Sequence, residues 1–310
     1  MGERSITDVP GIRVGHATEP DARTGCTVIL GPFRAAAELR GMAPGSRELA
    51  TLSPLHVTPQ SDAILLTGGS AFGLAAAQGV VDWLEERGAG YDTGTARVPI
   101  VPAAVIYDLD TGRPEHRPDS AMGRAACEAA SRDPVQEGRV GAGTGATVGK
   151  LRGTEGAMPG GVGSWSVEGP GCTIGALVVV NALGDVLDGQ GRIIAGSRDE
   201  EGSLIGTARA IREGLIEGGT GPEPGKNTTL ALVATDAPLT KVGLEGVARI
   251  AMTGMARRID PVHTPFDGDI TFAVSTASEP RDLSPDLILR LGVLAAHALE
   301  IAIERAVTIT

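Results

Sequence analysis

Glycine (45) and proline (20) together supply 65 of the 310 residues, where average usage would give roughly 37. Such a chain turns sharply and brings backbones into direct contact, but it has few large rings to fill space: 2 Trp, 2 Tyr and 4 Phe. With 42% of its residues apolar, its core must be built from Ala, Val, Leu and Ile in closely packed elements. The glycines show no period of three, which excludes collagen. The apolar content excludes a disordered chain.

Hydrophobic patterning divides the chain into mixed elements. Strands are predicted over 24–31, 62–67, 102–107, 228–235 and 269–276, with two long strands and a hairpin extension across 161–188 that turns at Leu183-Gly184-Asp185. Helices are predicted over 70–86, 119–131, 203–217 and 240–257. A last helix opens at Ser284 as N-cap, with Pro285 in its first position and an apolar face through Leu287, Leu291, Leu294 and Leu299. Gly218 to Lys226 is the clearest loop. The strands come in adjacent groups without strict βαβ alternation. A layered α+β fold, sheet packed on sheet with helices outside, is therefore expected. The 218–226 loop is too short for a domain linker, so residues 1–310 read as a single domain.

The formal net charge is −11. Without a cluster of Lys and Arg, and with few aromatics for base stacking, nucleic acid is not an expected partner. The N-terminus has no apolar signal-like region, and no apolar stretch is long enough to span a bilayer, so no membrane association and a cytoplasmic location are expected. Cys26, Cys127 and Cys172 are odd in number and far apart, which supports neither a disulfide framework nor a zinc ribbon.

Several segments invite chemistry and are better read as structure. GAGTGATVGK, ending at Lys150, fails the phosphate-loop pattern because Thr144 and Leu151 stand where glycine and a hydroxyl residue are needed. Its reading is a glycine segment packed against another backbone. Ser70, in TGGSAFG, lacks the spacing of a nucleophile elbow and reads as a helix N-cap. The five histidines (His16, His56, His116, His263 and His297) include no pair at metal-ligand spacing, so no metal or cofactor is expected. Asp267-Gly268-Asp269 could be a metal corner, an acid/base pair or a turn, of which the turn is the usual case.

The most informative segment is Lys226-Asn227-Thr228-Thr229. On local composition alone it is an ordinary junction between a loop and a strand. It also has the arrangement a self-cleaving N-terminal-nucleophile enzyme requires. The Thr228 hydroxyl would attack the Asn227 carbonyl, and water would hydrolyse the resulting ester. The new α-amino group, with a pKa of about 8, would then act as base for its own hydroxyl.

Six segments in order carry a resemblance: ITDVPGIRVGHAT, LLTGGSAFGL, VPAAVIYDL, GRVGAGTGATVGK, ALVVVNALGDV and NTTLALVATDAPLTK. Over nearly its whole length the chain resembles the DmpA/BapA aminopeptidase family, and within it the branch of the nylon-oligomer hydrolase NylC. The resemblance implies a four-layer αββα-type sandwich of the N-terminal-nucleophile hydrolases. It also implies self-cleavage into residues 1–227 and 228–310, and a homotetramer of cleaved protomers.

Carried over by position, the resemblance implies Thr228 as nucleophile and Asn227 as the residue cut from it. Lys150 would hold and polarise the nucleophile's oxygen, Asn181 would donate to the oxyanion, and Tyr107 would be an additional donor. Asp267 and Asp269 match aspartates of the nylon-hydrolase branch and would support the catalytic residues. The implied substrate is a small linear oligoamide of the aminohexanoate type. The alternatives are short peptides with a free N-terminus, including β- or D-residues, and an uncleaved, non-enzymatic relative.

Overall fold

Sixteen residues, Thr24–Leu39, form one strand, longer than the 24–31 segment expected. The computed structural model describes residues 4–169, 171–214 and 225–309. The early part of this strand pairs with Arg13–Glu19 and Ser61–Thr67, and its end, from Arg34, with Ile270–Ser275. A register shift between Leu30 and Phe33 marks the change of partner. The long strand thereby belongs to both halves of a nine-stranded sheet. One half runs on through Thr228–Thr235, Cys172–Asn181 and Gly161–Gly169. The other continues through Ser61–Thr67 and Ala103–Val105 to Ser46–Arg47.

Side-chain alternation along these strands builds four layers. Ile29, Ile64 and Leu66 of one half meet Leu177, Val179, Leu230, Leu232 and Phe272 of the other in a core between the two sheet halves. The intervening residues point outward. Ala176, Val178, Ala231 and Val233 pack under the helices Lys241–Ala251 and Pro285–Thr308. Val28, Leu30, Ala63 and Leu65 pack under Ala76–Glu85 and Ser120–Glu128. Because strand side chains alternate with a period of two, each central strand supplies two of the three apolar interfaces. The αββα sandwich and the α+β class are as expected.

Small residues make the close layers possible. A Cβ added to Gly79 would lie 1.8 Å from the Ser120 carbonyl oxygen, and one added to Gly123 would lie 1.9 Å from that of Ala76. The two helices of that outer layer therefore touch backbone to backbone. The GAGTGATVGK segment is likewise packed against backbone: a Cβ on Gly143 would come within 2.5 Å of the Val162 amide nitrogen.

Several expectations are refined. The Ser284 hydroxyl accepts from the Leu287 amide at 3.3 Å and caps the last helix. The 70–86 and 240–257 helices are each interrupted, giving Ser70–Gly73 with Ala76–Glu85, and Lys241–Ala251 with Thr253–Arg258. Ser70 is not an N-cap. Gly69 holds that position, and Ser70 is the first helical residue, with φ 53° and no capping hydrogen bond. Beyond Leu183 the chain does not fold back as a hairpin on Cys172–Asn181. Asp185–Leu187 instead joins Ile193–Ala195 and Ile259–Asp260 in a separate three-stranded sheet. The expected 203–217 helix appears as Thr207–Arg212, its last three residues lying outside the described residues, as does 218–224 of the expected loop. Among the described residues no helix is long and apolar enough to cross a membrane.

Candidate active site

Thr228 is the first residue of a strand whose eight residues are all buried. The antiparallel register sets Thr228 opposite Asn181, the last residue of its neighbour. On the other side the strand runs parallel to Ile270–Ser275, so Asn227 comes level with Asp267 in a single parallel bridge. Sheet register alone therefore gathers Asn181, Thr228 and the 267–269 turn at one edge of the sandwich.

The peptide carbonyl before Thr228 is held from two sides. The Asn227 oxygen accepts from the Thr228 hydroxyl at 2.5 Å and from the Gly268 amide at 2.9 Å. Gly268 is there because a side chain would not fit: a Cβ would lie 2.8 Å from Thr228 Oγ1 and 2.7 Å from the Ala43 carbonyl oxygen. Donation to this carbonyl withdraws electron density from its carbon, which is what an attacking hydroxyl needs.

Lys150 reaches the junction from the glycine segment. The Gly149 and Lys150 amides dock on the carbonyls of Gly184 and Leu183 at 3.1 and 3.0 Å. From there Lys150 Nζ donates to Asn181 Oδ1 at 2.7 Å, to the Asn181 carbonyl at 3.1 Å and to the Lys226 carbonyl at 2.9 Å. Burial pushes its pKa down to about 7, against the opposing pull of Asp110, Asp267 and Asp108. Among the described residues no hydrogen bond joins Lys150 to the Thr228 hydroxyl. The ammonium grips the residue facing Thr228 and the carbonyl two residues before it.

Asn181 is fully buried and uses both ends of its amide. Oδ1 accepts from the Thr147 amide at 3.0 Å as well as from Lys150, while Nδ2 donates to the carbonyls of Tyr107 at 3.2 Å and Lys226 at 3.3 Å. In this intact chain its donor thus lies on the Lys226 carbonyl, one peptide upstream of Asn227. Tyr107 contributes that backbone acceptor and a ring 5.3 Å from Lys226 Nζ. Its hydroxyl makes no hydrogen bond among the described residues.

Asp269 and Asp267 are buried and hold backbone. Asp269 Oδ1 accepts from the Thr229 amide at 2.6 Å, and Oδ2 from the His263 amide and ring Nδ1 at 3.1 and 2.9 Å. Asp267 Oδ2 accepts from the Thr264 amide and hydroxyl at 2.9 and 2.5 Å. Burial, reinforced by the neighbouring charge of Asp269, raises the Asp267 pKa to about 6. Of the three sequence readings, the turn describes these contacts best. Among the described residues no group of three or more His, Cys, Asp and Glu could hold a metal ion.

Three participants were invisible in the sequence. Gly268 acts through its amide and its missing side chain. Asp108 accepts from the Gly69 amide at 2.7 Å and the Thr24 hydroxyl at 2.8 Å, and burial raises its pKa to about 6. Asp110 pairs with Lys226 at 3.3 Å. Their partners lie dozens of residues away, and no local spacing announces such contacts.

Comparison with known proteins assigns this architecture. Residues 4–310 match peptidase family S58. The chain is 40% identical to an uncharacterized aminopeptidase of Mycobacterium bovis, covering 96% of this chain and 92% of that one. It is 35% identical to the 6-aminohexanoate-oligomer endohydrolase of Kocuria sp., covering 87% and 74%. The l-aminopeptidase d-ala-esterase/amidase of Ochrobactrum anthropi, a variant of the Ntn hydrolase fold, superposes with a TM-score of 0.71 at 23% identity over 99% of this chain and 87% of that one, which establishes the shared fold. The chain belongs to peptidase family S58, the DmpA/BapA family of amide-bond hydrolases.

Proposed function

We propose that this protein is a self-processing amide hydrolase that uses Thr228 first on its own chain and then on its substrate. The observation that carries the reading is the Thr228 hydroxyl 2.5 Å from the Asn227 carbonyl oxygen, with the Gly268 amide donating to that same oxygen. Thr228 Oγ1 attacks the Asn227 carbonyl carbon, and the oxyanion that forms keeps the Gly268 hydrogen bond. The C–N bond breaks, the amine of Thr228 takes up the proton, and an ester links Asn227 to Thr228. Water cleaves the ester, leaving residues 1–227 and 228–310 with Thr228 as a new N-terminus. Its α-amine, with a pKa of about 8, then serves as base for the hydroxyl in substrate hydrolysis.

The remaining residues have supporting roles in this reading. Once the acyl-side peptide is free of Thr228, Asn181 Nδ2 exchanges the Lys226 carbonyl for the oxyanion of the substrate. Lys150, with a pKa near 7, fixes Asn181 and supplies or accepts a proton at neutral pH. Tyr107 lines the acyl side. Asp269 holds the strand by the Thr229 amide, and Asp267 sets the turn that presents Gly268.

The substrate we favour is a linear oligoamide of the aminohexanoate type, supported by the 35% identical endohydrolase. The second reading, an aminopeptidase for short peptides with free N-termini, is supported by the 40% identical mycobacterial relative. Relative turnover of an aminohexanoate oligomer and an amino-acid nitroanilide separates them. A denaturing gel with N-terminal sequencing of the smaller band tests the shared mechanism, and a single intact, active chain would overturn it. Tetrameric assembly is part of the reading and is measured by light scattering. The free cysteines support a reducing, cytoplasmic setting.

A further inference from the structure

Asp269 Oδ1 accepts from the Thr229 amide at 2.6 Å, so the direction of this carboxylate decides where the residue after Thr228 lies. The Asp269 backbone is fixed independently, because the Arg40 and Gly41 amides donate to its carbonyl at 3.1 and 3.3 Å. Only the rotation of the side chain is left to set. Two donors meet at Oδ2 and both belong to His263, its amide at 3.1 Å and its ring Nδ1 at 2.9 Å. The next residue repeats the pattern on the other aspartate, where the Thr264 amide and hydroxyl both donate to Asp267 Oδ2. The dipeptide His263-Thr264 thus grips both carboxylates of the 267–269 turn.

We propose that His263 is a positioning residue for the nucleophile. By holding Asp269 Oδ2 with its amide and its ring, it aims Oδ1 at the Thr229 amide and so sets the approach of the Thr228 hydroxyl to the carbonyl it attacks. The proposal rests on Thr228 being the nucleophile.

Three observations set this contact apart from an incidental one. Among the described residues no other group donates to Asp269 Oδ2, and the Asp269 side chain is only 1% exposed against 22% for His263. A hydrogen bond to a carboxylate so shielded from water is a strong one. His263 also has a φ of 56°. That left-handed conformation is uncommon outside glycine, though His, Asn and Asp adopt it more readily than other residues. It persists where the surroundings hold it in place, and such residues gather at functional sites. Finally, Thr229 and Thr228 are neighbours on a fully buried strand. A shift of Thr229 therefore carries to the Thr228 hydroxyl, and misplacing a reacting group by about 1 Å costs roughly a hundredfold in rate.

The test varies backbone freedom and the ring donor separately. His263→Gly accepts the left-handed conformation and removes the ring. His263→Asn tolerates that conformation too and returns an N–H donor close to the place of Nδ1. Processing of His263→Gly, timed on a denaturing gel, should slow by at least about tenfold, the worth of one hydrogen bond to a charged group. His263→Asn should recover most of that loss. In processed enzyme the glycine variant should lower kcat and leave KM unchanged, since it touches nothing on the acyl side. Normal processing in His263→Gly, or equally slow processing in both variants, overturns the proposal. A second arm needs no cleavage. In Thr228→Ala, isotope-labelled threonine reports the Thr229 amide proton, which a short hydrogen bond to a carboxylate moves downfield and protects from exchange. Adding His263→Gly should move the signal upfield and speed its exchange, and adding His263→Asn instead should keep it in place. A signal indifferent to His263→Gly overturns the proposal. A signal that depends on His263, in a protein whose unaltered chain is never cut at Asn227, would overturn the Thr228 mechanism alone.

Discussion

The amide of Gly268 lies 2.9 Å from the carbonyl oxygen of Asn227, so a residue 41 positions downstream polarises the bond on which the proposed maturation depends. The same glycine leaves no room for a methyl group beside the Thr228 hydroxyl. Gly268→Ala keeps the amide but must push the turn away from Ala43 and Thr228, so processing should slow, by up to about a hundredfold where the shift breaks the hydrogen bond, the typical worth of one oxyanion donor. A time course on a denaturing gel reads this directly, and processing at the normal rate would exclude Gly268 from the step.

Thr228→Ala should block both cleavage and turnover, because one hydroxyl performs both attacks. Thr228→Ser keeps the hydroxyl and should retain part of the processing, its rotamer freed by loss of the methyl group. Mass spectrometry should find fragments of 227 and 83 residues from the unaltered chain. A smaller fragment beginning at Thr229 would move the nucleophile by one residue.

Asn181→Ala tests more than a donor. The side chain anchors Thr147, Lys150, Tyr107 and Lys226 in a buried position, so its loss should lower stability by about 2 to 4 kcal/mol, each orphaned buried group costing about 1 to 3 kcal/mol. Asn181→Asp keeps acceptors for Thr147 and Lys150 but replaces the donor with an oxygen that faces the Tyr107 and Lys226 carbonyls. Its kcat should fall about a hundredfold or more; a rise in KM alone would make Asn181 a binding residue.

Lys150 couples the site to pH. Its folded pKa of about 7 lies below the ordinary 10.5, so between these values the unfolded chain carries the extra proton. Stability must then rise with pH across that window, the penalty of a buried ammonium being fully present below pH 7 and relieved above it. Urea titrations at pH 6 and pH 9 should show this gain in Thr228→Ala and lose it when Lys150→Met is added. An identical pH dependence in both would mean that Lys150 does not titrate there. In the otherwise unaltered chain, Lys150→Met should slow both processing and turnover.

Much of this was legible in the sequence because it is local. The Thr228–Thr235 strand and the Ser284 cap follow from patterning and capping chemistry, and the layered class follows from grouped strands in a chain poor in aromatics. Six ordered segments then named the family. What escaped depended on register. Nothing near Asp110 announces Lys226 as its partner, and Gly268 acts through an amide that every residue but proline possesses. Ser70 misled because a serine between strand and helix is so often a cap, whereas the positive φ of Gly69 let the glycine take that place. Lys150 was expected on the nucleophile's oxygen. Its docking through Leu183 and Gly184, which aims it at Asn181, arises from a turn far along the chain.

The strand order carries a last consequence. Thr228–Thr235 and Ile270–Ser275 lie side by side, inserted between Cys172–Asn181 and Thr24–Leu39, both of which precede the proposed cut. The shorter piece thus contributes the middle of a sheet whose flanks belong to the longer one. Neither piece made separately has a complete hydrogen-bonding template, so the proposed cut can follow only after the single polypeptide has folded. Maturation of this kind is a one-way gate: a processed molecule that unfolds loses the covalent connection that guided its assembly, and its working lifetime is set by how slowly it opens.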